Sequence, residues 1–349
     1  MININNLKFK GYVLENINKT LKLYSFKNQK KLQYGQVLVK IFYSGVCGKQ
    51  VEEYTGKMGK DKFLPHLLGH EASGKIIDKH RSVKHVKIND IVVAHWMKNK
   101  KGIQSKVPEF YYKNNKKLNA GWITTFSNYS ILSSNRVTKI PKDSDLKKAA
   151  LLGCCLSTGI GTILNQSKPK KKDNIAVIGC GGIGLSTLIG LNIAKIKNID
   201  CFDVKLKNLD KAKILGAKSC YLIKDFNFKK KYNKIYVSTG NLKAVAFANK
   251  VGDLKSDIYL MGVPSPKSDI KLNALDIHKG KNFLSSSGGE INPHKDINKF
   301  LKKINQKRLK VNKLILNVQH YSKLPDIIKK LSKGEISHGR NLINFKNLS

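Results

Sequence analysis

The sequence predicts an α/β protein in two parts: a strand-dominated stretch, then a parallel, doubly wound sheet. Three observations predict it. Short β-rich runs separated by turns fill residues 7 to 150. From about 155 to 287, apolar strands alternate with helical patterns. Within that second stretch the run Ile175 to Gly184, IAVIGCGGIG, enters a glycine turn from a strand and leaves it on a helix.

The strand-dominated part is carried by QVLVKIFYSGV (36–46), ASGKIID (72–78) and DIVVAHW (90–96). Residues 97 to 121 are polar and rich in Gly, Asn and Lys, and they read as one long loop, a candidate functional loop or surface lobe. In the second part the strands are IAVIG, NIDCFD, SCYLI, KIYVSTG and IYLMGVP, with a helix over Leu206 to Leu215 between the second and third. An amphipathic Lys-rich stretch (Lys295 to Lys303) and a last strand, NLINF, close the chain.

The glycine run carries chemistry. Gly179 permits the tight turn, Gly181 lets the backbone approach a pyrophosphate, and Gly184 lets helix and strand pack closely, with Gly182 among the cofactor-binding glycines and a helix-like segment over Leu185 to Ile196 leaving the turn. The helix N-terminus offers unpaired N–H groups to the anion. Asp203 ends the next strand, nineteen residues past Gly184, where a carboxylate accepts from a ribose 2′-hydroxyl and repels a 2′-phosphate. That favours NAD over NADP, with Lys205 and Lys207 as opposing charges. Residues 175–194 carry no charge, as in a membrane span, but their five glycines and Asn192 fit a buried strand and helix better.

The composition bounds the rest. The net charge is +43, carried almost entirely by lysine spread along the chain, with arginine only at 81, 136, 308 and 340. That pattern reads as a general bias toward Lys, Asn and Ile, so no specific nucleic-acid partner and no membrane partner is expected. Six cysteines form no CxxC pair, and the N-terminus lacks an apolar signal core, which points to a reducing, cytoplasmic setting.

Three of the remaining motifs place metal-ligand residues in order: Cys47 in SGVCGKQ, His70 in LPHLLGHEASG and Cys154 in LLGCCLSTGIG. With the dinucleotide turn and the GVP turn (262–264), the chain here resembles the zinc-dependent alcohol dehydrogenases of the medium-chain dehydrogenase/reductase superfamily over nearly its whole length. The resemblance implies a GroES-like catalytic domain (1–154 with 288–349) and a Rossmann cofactor domain (155–287), with the active site in the cleft between. It implies one catalytic Zn²⁺ held by Cys47, His70 and Cys154, with an open position for water or substrate, and Glu71 behind the metal. Two thiolates and an imidazole suit that ion. The motif GCxxSTGIG selects Cys154 over its neighbour Cys155.

Further carry-over places Met261 and Val263 at the nicotinamide carboxamide, Arg340 at the pyrophosphate, and Trp96, with its neighbour His95, in the substrate pocket. The family's four-cysteine structural zinc has no counterpart between His95 and Gly121, so no structural zinc is expected. Two positions depart from the family. Lys49 stands where Ser or Thr usually passes the alcohol proton toward solvent, and Gln50 where an Asp supports the zinc-bound histidine. Lys49 is then the candidate proton acceptor, with Glu52 or water as the alternative route. The expected activity is hydride transfer between a nicotinamide and an alcohol, aldehyde or ketone of unassigned identity, in a homodimer or homotetramer. The alternatives are a zinc-independent reductase of the same superfamily and a basic nucleic-acid-binding protein on a retired enzyme fold.

Overall fold

The computed structural model describes residues 4–266, 268–336 and 339–348. The chain divides into two compact units. The first comprises Met1–Cys154, Asn292–Leu301 and Ile315–Ser349; the second comprises Cys155–Ile291 and Lys302–Leu314.

The first unit is built on two sheets. The larger runs in the order Val137–Lys139, Ile91–His95, Glu71–Lys79, Gln36–Val46, Arg340–Asn344, Ile315–His320, with Tyr129–Ser133 also paired to Gln36–Val46. Gln36–Val46 is long and almost wholly buried because its apolar residues occupy both faces. Two bulges in its pairing with Glu71–Lys79 bend it, so its end and the start of its partner lie together at Ser44 and Ala72. The helix Gly48–Thr55 follows at once. Its Val51 and Tyr54 join Leu324, Ile327, Ile328 and Leu331 of the helix Leu324–Ser332 in the core.

The smaller sheet runs His66–Leu67, Phe9–Leu14, Lys22–Asn28, Phe110–Tyr112, Lys116–Leu118. Its last two strands correct the expectation of a single loop over residues 97 to 121. They form a hairpin that extends the sheet through Lys27 opposite Tyr111 and Asn28 opposite Phe110. The hairpin is closed by aromatic packing: Phe110 lies 5.0 Å from Phe26 and 6.0 Å from Phe9, ring centre to ring centre. The segment before it is tied down by Ser105 N–H donating to Ser133 Oγ and by Trp122 Nε1 donating to the Ser105 carbonyl.

The second unit holds one six-stranded parallel sheet in the order Ser219–Leu222, Ile199–Asp203, Ile175–Ile178, Tyr232–Val237, Gly252–Leu260, Asn282–Ser285. This is the doubly wound order whose direction reverses beside the first strand, and ligands bind outside the carboxyl ends there. Five of the strands coincide with the apolar runs of the sequence; Asn282–Ser285 is additional. The uncharged run after Ile175 divides into a four-residue strand and a buried twelve-residue helix, Gly182–Ile193. Among the described residues, no single helix is long and apolar enough to cross a membrane.

Candidate metal and cofactor sites

The glycine turn is built as its residue types demand. Gly179 has φ +86°, and Gly181 sits in the N-cap position of Gly182–Ile193. A Cβ on Gly184 would lie 1.9 Å from the Gly179 carbonyl oxygen, so only glycine lets the helix start this close to the turn. Asp203 is buried at the end of the neighbouring strand. Its Oδ2 accepts from Cys180 N–H at 2.7 Å, while Oδ1 accepts from Lys205 N–H and Asn208 Nδ2. The carboxylate therefore holds the turn as well as placing a negative charge beside it.

Met261 is buried at the carboxyl end of Gly252–Leu260, where its N–H donates to the Val237 carbonyl, and Val263 lies exposed beyond it. Ser238, just past Tyr232–Val237, donates to the Gly179 carbonyl at 2.5 Å. The sequence reading passed over Ser238, although its place in KIYVSTG, directly after an apolar strand, matches that of Gly179 in IAVIG.

In the first unit, one ligand atom from each of Cys47, His70 and Cys154 lies within 4.8 Å of the others. Local folding delivers each one. Cys47 ends Gln36–Val46 and occupies the N-cap of Gly48–Thr55, its N–H capped by Gln50 Oε1 at 2.9 Å. His70 precedes Glu71–Lys79. Cys154 follows a 3₁₀ turn, Leu151–Gly153, in an irregular backbone conformation. Cys155 points elsewhere, its Sγ 3.0 Å from Ser186 Oγ.

Electrostatics favour a thiolate here. The thiol of Cys154 donating to Cys47 holds the Cys47 thiol well below its ordinary range against the cost of burial, and the Arg340 guanidinium and His70 add to this. The same interaction, with burial, pushes Cys154 up. Burial would lower His70, but Cys47 and the carboxylates of Glu71 and Glu53 raise it. Burial raises both Glu52 and Glu53. Glu53, which the sequence reading left out, is thus a third acidic group by the site; its helical position one residue from Glu52 gave no signal.

The structure gives the remaining sequence-predicted residues contacts of their own, and it corrects the placing of His95. His95 is a core residue: it is fully buried, Nδ1–H donates to the Met97 carbonyl at 2.8 Å, and Nε2 lies 3.0 Å from Thr138 Oγ1. Both ring nitrogens are occupied, so it does not line a substrate pocket. Its neighbour Trp96 is half-buried, its carbonyl accepting from Arg136. Arg340, expected at a pyrophosphate, is buried with Nε 2.9 Å from Glu71 Oε1 and one amino group 3.4 Å from Cys47 Sγ and 3.9 Å from Cys154 Sγ. Glu71 is itself fully buried, in space that a Cβ on Gly45 would fill at 2.3 Å from Oε1. Lys49 lies on the first turn after Cys47, partly exposed, with Nζ 3.8 Å from Glu52 Oε2.

A β-rich unit carrying a Cys-His-Cys trio and a doubly wound unit carrying a glycine turn define a dinucleotide-linked oxidoreductase of the medium-chain type. Residues 33–142 match the alcohol dehydrogenase GroES-like domain. Alcohol dehydrogenase class-P of Arabidopsis thaliana is 26% identical, covering 87% of this chain and 89% of its own length. An S-(hydroxymethyl)glutathione dehydrogenase of Synechocystis is 30% identical over 55% of this chain and 58% of that protein. Among solved structures, benzyl alcohol dehydrogenase from Acinetobacter calcoaceticus superposes with a TM-score of 0.83 at 20% identity, covering 97% of this chain and 99% of that one. An alcohol dehydrogenase zinc-binding domain protein from Burkholderia ambifaria gives 0.87 at 17% identity with the same coverage. These likenesses support a zinc-type medium-chain dehydrogenase/reductase family, and the matched relatives include proteins named alcohol dehydrogenases, oxidoreductases acting on CH–OH donors.

Proposed function

We propose that this chain is a zinc-dependent, NAD-linked dehydrogenase that interconverts an alcohol and its aldehyde or ketone. The observation that carries the reading is the convergence of Cys47, His70 and Cys154 in a chain that also holds the glycine turn beside Asp203. The donor set fits zinc: two sulfurs and an imidazole whose Nε2 is sealed from solvent without a hydrogen-bond partner of good geometry. When bound, the metal supplies Lewis-acid polarisation of a substrate oxygen, and the nicotinamide exchanges the hydride.

The chain's own residues do the rest. Arg340 neutralises Glu71 and lends positive charge to Cys47, so the Glu71 carboxylate and the Cys47 thiolate can share a buried space. Lys49 and Glu52 are partly exposed on the same helix, which supports Lys49 as the acceptor that passes a proton toward solvent, with Glu52 or water as the alternative route. Asp203 supports NAD over NADP, because its charge repels a 2′-phosphate and its oxygens are already fixed by Cys180, Lys205 and Asn208. Residues 1–154 with 288–349 would be the catalytic domain and 155–287 the cofactor domain. Among the described residues the strand Asn282–Ser285 leaves a sheet edge unpaired, which supports assembly into a homodimer or homotetramer.

A panel of alcohols and carbonyl compounds read by NADH absorbance, with metal content measured on the same sample, tests the proposal. Activity should accompany one zinc per chain, disappear on chelation and return with zinc. Undiminished activity in metal-free protein would instead favour a zinc-independent reductase.

A further inference from the structure

We propose that Gln50 sets the metal affinity of the Cys47, His70, Cys154 centre by dictating which ring nitrogen of His70 carries the proton. The inference rests on reading that trio as a metal centre.

Gln50 is buried, 1% exposed, and spans two partners. The Cys47 backbone N–H can only donate, and it meets Gln50 Oε1 at 2.9 Å. The amide therefore turns its NH₂ group toward His70 Nδ1, 2.6 Å away. An NH₂ group can only donate, so Nδ1 accepts. A neutral imidazole that accepts at Nδ1 carries its proton on Nε2.

Nε2 is the ring's remaining ligand atom, and a protonated nitrogen has no lone pair to give a metal. Ligation requires the proton on Nδ1, which would then face the NH₂ group of Gln50, donor against donor. Turning the amide over satisfies Nδ1–H but sets the NH₂ group against the Cys47 N–H. With Gln50 in place, one donor–donor contact accompanies the metal-ready ring in either orientation. The site is too buried at Gln50 for bulk water to relieve it. A carboxylate at the same position accepts from both the Cys47 N–H and Nδ1–H and meets no such conflict. Gln50 is thus a positioning residue that favours the metal-free arrangement and makes the centre bind metal weakly and exchange it readily.

The test is the isosteric change Gln50→Glu, which replaces the NH₂ group by an oxygen. Zinc affinity is measured on metal-free protein by competition with a chromophoric chelator. Gln50→Glu should bind zinc about 10- to 100-fold more tightly than the unaltered chain. In parallel, histidine ring ¹H–¹⁵N spectra of the metal-free proteins, recorded in mildly alkaline buffer, should show the His70 proton on Nε2 in the unaltered chain and on Nδ1 in the variant. Equal zinc affinity in the two proteins, or an Nδ1–H ring in the unaltered chain, would overturn the proposal. Absence of zinc binding in both would overturn the metal reading itself, and the proposal with it. Should the variant fail to fold, the spectrum of the unaltered protein decides alone.

Discussion

His95 ties the stability of the first unit to pH. Its ring is fully buried between two strands, donating to the Met97 carbonyl and accepting from Thr138, whose hydroxyl in turn accepts from Asn99. Burial holds its pKa down at about 3, with the charges of Arg136 and His85 acting in the same direction, against an ordinary value of 6.5. Between those two values the unfolded chain binds a proton that the folded chain refuses. Stability is therefore complete above pH 6.5 and is lost progressively as the pH falls toward 3. At pH 5 the deficit is about 2 kcal/mol, from roughly 1.4 kcal/mol per pH unit below 6.5. Urea unfolding of the unaltered protein and of His95→Gln at pH 7 and pH 5 isolates this contribution, because every other titrating group is common to both. The variant should be less stable at pH 7, and its disadvantage should shrink by about 2 kcal/mol at pH 5. A stability difference that is the same at both pH values would refute the assignment of His95 as a buried neutral core residue.

Gly184→Ala places a carbon 1.9 Å from the Gly179 carbonyl, and because both sides of the clash are backbone, turn and helix must part by about 1 Å. A loss of about 1–3 kcal/mol in thermal unfolding, together with weakened NADH binding by fluorescence titration, is expected; retention of both would contradict the geometry. Phe110→Ala removes a ring that is 1% exposed and should cost about 3–5 kcal/mol in urea unfolding while leaving zinc stoichiometry unchanged. Lys49→Met should alter the pH dependence of kcat/KM; an unchanged profile would remove Lys49 from the proton route.

The elements that were legible in the sequence are those whose reason is local. Gln36–Val46 and the strands of the parallel sheet are apolar runs bounded by turn residues. The turn at Gly179 to Gly184 carries its own geometry in its glycines. The hairpin at Phe110–Tyr112 and Lys116–Leu118 was not legible, because each strand has three residues set among Lys and Asn. Its pairing with Lys22–Asn28 and its ring packing on Phe9 and Phe26 come from far upstream.

The same distinction runs through the site. Cys47, His70 and Cys154 stood out because each sits in a recognisable short motif. Arg340 was placed at a pyrophosphate through the family resemblance of its motif, which says nothing of its partner Glu71, 269 residues earlier. His95 beside Trp96 looked like pocket lining; only Met97 and Thr138, closing on its two nitrogens, show it to be core. Gln50 read as a missing carboxylate. Its two contacts, with the Cys47 N–H and with His70 Nδ1, are ones that no residue spacing encodes.

The aromatic hairpin has a consequence for how this enzyme would fail. A lobe fastened by ring packing answers to heat and denaturant but is indifferent to chelators and oxidants. Starving the protein of metal would then disarm the Cys-His-Cys centre while leaving the surrounding scaffold standing. On the proposed zinc reading, inactivation of that kind would be repairable by returning the ion.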